Sequence, residues 1–150
     1  MRKAFVIVST LLLVSFVLQF LFAAVGAFTK PAGDGAYALH SINGMAIIPV
    51  LTLLTILLAV LAKAPGRLVG LAVLPLGLVV VQALVAALAN GSTDAAGAST
   101  PFGLTIAGLH ALIGIVAVHV VVSVSQAARK LARPAPTGAT HVTVREGEPA

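Results

Sequence analysis

The sequence predicts an all-α membrane protein: four transmembrane helices in an up-down-up-down bundle, built from a duplicated helical hairpin, with both termini cytoplasmic. Three observations predict it. The chain is 59% hydrophobic and only 9% charged, with a mean hydropathy of +1.12, which no soluble 150-residue domain tolerates. Its apolar residues fall into four runs, each near the roughly 20 residues a helix needs to cross a bilayer. A glutamine and a histidine recur in matching settings, once in each half.

The first run, roughly 4–28, follows Arg2 and Lys3. Its end, Ala24-Val25-Gly26-Ala27, has the form of a secretory cleavage site. The run exceeds the roughly 7–15 residues of a signal's apolar region, so it reads as a retained span. The second run, roughly 38–62, follows a turn containing Pro31, Gly33 and Gly35. Lys63 to Arg67 is a tight charged turn into the third run, roughly 68–89. A Gly/Ser/Thr/Ala-rich connection ending near Pro101 leads to the fourth, roughly 104–126. Pro49 and Pro75 read as kinks. None of the connections is large enough to fold alone, so 1–128 is one membrane domain. The basic tail 129–150 has no apolar face to bury and reads as disordered and cytoplasmic.

Charge placement orients the bundle. Arg2, Lys3, Lys63, Arg67, Arg129, Lys130 and Arg133 fall on one side if the helices alternate, against Lys30 on the other. The positive-inside rule then places both termini in the cytoplasm of a multi-pass protein. Ala/Val/Gly/Leu-rich usage reads as bacterial, hence the plasma membrane, and gives the sequon at Asn90 no weight. The basic residues flank spans and form no separate domain, so nucleic acid is not an expected partner; membrane lipid is. Zero cysteines exclude disulfides, c-type haem attachment, iron–sulfur clusters and thiolate zinc sites.

The internal match is specific. Aligning Gln19 with Gln82 pairs Val17 with Val80, Leu21 with Leu84, Ala23 with Ala86 and Ala24 with Ala87. Aligning His40 with His110 pairs Leu39 with Leu109 and Gly44 with Gly114. Polar side chains are costly in hydrocarbon, so two matched pairs in register point to one internal site. Both hairpins run in the same sense, which relates them by an axis along the membrane normal. The second and fourth helices then lie on a diagonal, with His40 facing His110 in the outer half of the bilayer and both glutamines flanking them. His119 falls on the opposite helical face, its aligned partner is Pro49, and it stands outside the set. Ser41 and Asn43 have no counterparts beside His110 and read as local hydrogen-bonding groups.

Two readings of the quartet stand side by side. Small residues and cross-helix hydrogen bonds are ordinary devices of membrane helix packing. Equally, two neutral imidazoles with Gly44 and Gly114 beside them suit the axial ligands and clearance of a haem b, whose iron His40 and His110 would hold. Gln19 and Gln82 would then orient the imidazoles through their other nitrogens.

The stretch from Arg2 to about Lys130, with Gln19 and Gln82 on helices one and three and His40 and His110 on helices two and four, resembles a family of small uncharacterised actinobacterial four-helix membrane proteins. That resemblance implies the fold and no reaction. More distantly, the histidines look like a bis-histidine half-bundle of haem A synthase or a b-type cytochrome. Haem A synthase places a carboxylate near its histidines, whereas no Asp or Glu lies within any span here. The same absence weighs against proton-coupled pumps, and no catalytic cluster points to an enzyme. The leading expectation is a haem b protein for electron transfer or haem handling beside a respiratory or redox membrane partner. The alternatives are an accessory subunit whose quartet fixes helix packing and a small oligomeric permease or channel. A homodimer is a further candidate assembly.

Overall fold

A computed structural model describes residues 1–31, 33 and 35–134. Four helices are long and apolar enough to cross a membrane: α1 (Arg2–Phe28), α2 (Ala38–Leu61), α3 (Gly66–Asn90) and α4 (Pro101–Ala132). Among the described residues no strand forms; the only extended pairing is a single bridge between Thr93 and Ser99. Each helix packs along two neighbours, α1 against α2 and α4, and α3 against α2 and α4. The result is a four-sided bundle with α2 and α4 on one diagonal, the arrangement that the duplicated hairpin implies.

The helix bounds follow local chemistry. Pro101 opens α4 because its missing N–H would be unsatisfied there anyway, and the Thr100 side chain caps the Gly103 N–H. At the other end α4 runs past the expected stop near 126 to Ala132, carrying Arg129 and Lys130 in its last turn. Cations are favourable at that end of the helix dipole. The part of the expected disordered tail from 135 to 150 lies outside the described residues.

The two internal prolines behave differently. Pro75 sits buried within an uninterrupted helix. Pro49 follows a widened turn, Asn43–Ile47, in which the Ile48 N–H reaches back five residues to the Asn43 carbonyl. A proline in a helix removes one N–H and crowds the carbonyl four residues earlier, here that of Met45. A π turn just before it relieves that crowding and leaves α2 continuous.

Packing is layered. At the end holding Arg2, the Lys63 turn and Ala132, Phe5, Ala59, Leu68, Ala72, Val124 and Ala128 form one buried cluster. Leu12, Phe16, Ile48, Ala117 and Val121 form the next. Small residues in these layers bring the backbones close, as membrane helices without a hydrophobic driving force between them require. Thr52 and Thr55 are buried there with their hydroxyls bonded to the carbonyls one turn back, at 2.8 Å and 2.7 Å. The outer surface is apolar: Leu11, Val14, Leu57, Val80, Leu112 and Ile115 are all about half exposed, as lipid-facing residues are. Above the second layer the bundle opens.

Candidate functional site

The opening is a cavity of about 420 Å³ at the end opposite Arg2 and the Lys63 turn, within the range of small-molecule sites. His40 and His110 enter it from the diagonal helices, Gln19 and Gln82 line it from α1 and α3, and Gly44 and Gly114 border it. All six candidate site residues therefore meet in one place. Ala23 and Ala86 line it too. One turn further along α1, Gly26 packs instead under Tyr37, where a Cβ would come within 2.5 Å of the ring. His119 is exposed on the bundle exterior.

The two imidazoles face each other with ring centres 6.2 Å apart and planes inclined at 53°. Their environments repeat. His40 Nδ1 lies 3.1 Å from the Gln19 main-chain carbonyl, and His110 Nδ1 lies 3.1 Å from the Gln82 main-chain carbonyl. A carbonyl oxygen can only accept, so each Nδ1 carries a proton, and in a neutral imidazole Nε2 then keeps a bare lone pair. Both rings are held in the same orientation by the same bond.

This corrects the expected role of the glutamines. Their main chains, not their side-chain amides, orient the imidazoles. A helical carbonyl has two lone pairs and can accept a ring N–H besides its own helical bond. The amides are used elsewhere. Gln19 Nε2 donates to the His40 carbonyl at 2.9 Å, and Gln19 Oε1 accepts from Asn43 Nδ2 at 2.7 Å. Asn43 also donates to the Ser15 carbonyl at 2.9 Å and accepts from Ser15 Oγ at 2.7 Å. The network is buried at Ser15 and Asn43 and ties α1 to α2. Asn43 is thus a long-range tie rather than a local hydrogen-bonding group. Its isolation in an apolar run was the available signal, since a buried amide in hydrocarbon demands partners.

The glycines also act differently from expectation. A Cβ on Gly44 would sit 2.7 Å from Gln19 Nε2, and one on Gly114 would sit 3.1 Å from Gln82 Nε2. The missing methyls make room first for the glutamine amides, and only through them for the cavity.

The second half lacks the network. The counterparts of Ser15 and Asn43 are Leu78 and Ile113, and Gln82 Oε1 is buried with no hydrogen-bond partner among the described residues. Also among the described residues, no group of three or more His, Cys, Asp or Glu side chains could hold a metal ion.

Fold and site together define a small integral membrane protein with a paired-histidine cavity between four helices. Residues 19–89 match a family of unknown function, DUF6220. The match begins at Gln19 and takes in His40, Gly44 and Gln82, leaving His110 and Gly114 beyond its end. No curated protein and no solved structure matches the chain.

Proposed function

We propose that the protein is a haem b protein of the bacterial plasma membrane, with His40 and His110 as axial ligands near the outer face. The observation that carries this reading is the imidazole pair. A metal–nitrogen bond of about 2 Å plus about 1.1 Å from nitrogen to ring centre, taken twice, requires ring centres about 6 Å apart. The observed spacing is 6.2 Å. Two imidazoles alone are a poor set for a bare ion, but a porphyrin brings four nitrogens of its own. Both rings hold Nε2 free, the state an axial ligand needs. The inclination of the rings is no obstacle, because each imidazole turns about its own bond to iron.

An iron with both axial positions filled by imidazole supports one-electron transfer, so the role is electron transfer or haem handling beside a membrane redox partner. The distant likeness to bis-histidine half-bundles agrees with this reading, while the resemblance to small actinobacterial four-helix proteins implies the fold alone. A packing role for the quartet has its own support in one half, where Ser15, Asn43 and Gln19 lock α1 to α2. The second half, with Gln82 Oε1 left unpaired, does not fit that role.

The test is an absorption spectrum of protein purified from haem-sufficient cells. A low-spin b-type spectrum whose Soret band shifts on reduction is expected in the wild type. Alanine at either His40 or His110 should abolish the low-spin form, while His119→Ala should keep it. A colourless, folded protein returns the quartet to helix packing.

A further inference from the structure

The two halves hold their histidines with unequal firmness. The imidazole bonds are the same length, 3.1 Å on each side, so the difference lies in the backbone beneath each ring. On the α2 side the His40 carbonyl is bonded to Gln19 and the next turn is tied through Asn43 to Ser15 and Gln19. Moving His40 away from α1 breaks all of these bonds. On the α4 side Leu78 and Ile113 occupy the corresponding positions, and no such tie forms among the described residues. Neither stretch that carries a histidine, Ala38–Ile42 on α2 or 104–113 on α4, contains a buried residue, but past His40 α2 reaches the buried and tied Asn43, whereas past His110 α4 reaches only Gly114, which has no side chain to tie. On α3 the cavity is walled by Ala83, Ala86 and Ala87, whose short side chains fill little of it. Elements with few buried contacts are the ones that open locally.

We infer that His110 is a displaceable ligand and His40 the fixed one, so that the site accepts a small neutral diatomic molecule at the iron in place of His110. This rests on the haem reading above. The step is a ligand exchange: the His110 Nε2–iron bond breaks, the incoming lone pair forms a bond to ferrous iron, and no electron or proton is transferred. His110 keeps its proton on Nδ1 and its bond to the Gln82 carbonyl can follow the ring or break.

The probe is carbon monoxide on the dithionite-reduced protein in detergent, after the low-spin spectrum has been recorded. The wild type should form a carbon monoxide adduct, and its C–O stretching band should coincide with that of His110→Ala, where His40 is the remaining ligand. Rebuilding the missing tie with Leu78→Ser and Ile113→Asn should slow carbon monoxide association about tenfold, the rate equivalent of roughly one net hydrogen bond. If that pair does not fold, the infrared comparison decides alone. A low-spin haem that takes up no carbon monoxide overturns the inference and leaves the haem reading intact. So does a wild-type band that coincides with His40→Ala instead. A protein without haem overturns the proposed function, and this inference falls with it.

Discussion

At Gly44 one absent methyl group decides where the Gln19 amide can lie. With alanine there, the new Cβ would meet Gln19 Nε2 at 2.7 Å, so the amide must leave its bond to the His40 carbonyl. Gly44→Ala should therefore lower stability by about 1–2 kcal/mol, the cost of one lost bond and a strained neighbour. Gly114→Ala meets Gln82 Nε2 at 3.1 Å and the edge of the partly exposed Phe20 ring at 3.4 Å. Both neighbours can give, so its loss should be smaller. Thermal unfolding in one detergent compares the two, and equal losses would contradict the assignment of Gly44 to the amide. Asn43→Ile should cost more than either, because it leaves the buried Ser15 hydroxyl and the half-buried Gln19 Oε1 without their partner.

On the scale of the helix, the widened turn in α2 holds one more residue than ordinary winding would. Deleting Ala46 should restore ordinary winding and keep His40 and Ile48 on their present faces. Deleting Leu53, in the regular part of α2, must rotate one end against the other by about 100° and separate the histidine from its core. The Ala46 deletion should thus elute as a monodisperse helical protein and the Leu53 deletion should aggregate. Size-exclusion chromatography with circular dichroism checks it; equal aggregation of the two would argue that the turn is not a removable insertion.

Across the molecule, the closed end and the open end are separable. Ala72 is wholly buried beside Phe5, Ala59 and Val124, and leucine there overpacks the layer at a cost of about 1–3 kcal/mol. Ala72→Leu should lower the melting temperature without changing the absorption spectrum, since the second layer lies between it and the histidines. A spectral change would show that the layers are coupled. Orientation is a separate matter, set by charge: reporter fusions after Lys63 and in the 129–150 tail should report cytoplasm, and one near Asp94 the outside. An external C-terminus would overturn the placement of the histidines near the outer face.

The sequence by itself determined the membrane class, the four spans and the meeting of Gln19, His40, Gln82 and His110 at one level. Those follow from one-dimensional quantities: the length of each apolar run, the helical period, and a repeat that preserves both. The diagonal pairing of α2 and α4 came from the same symmetry. Only the tertiary structure decided which atoms touch. It assigned the imidazoles to main-chain carbonyls, gave Asn43 three bonds to α1, placed the glutamine amides over the glycines and left Gln82 Oε1 unpaired. Hydrogen bonds are made or lost within a few tenths of an ångström. The gap between two helices at that precision depends on every side chain packed between them, and no spacing along a single chain records it.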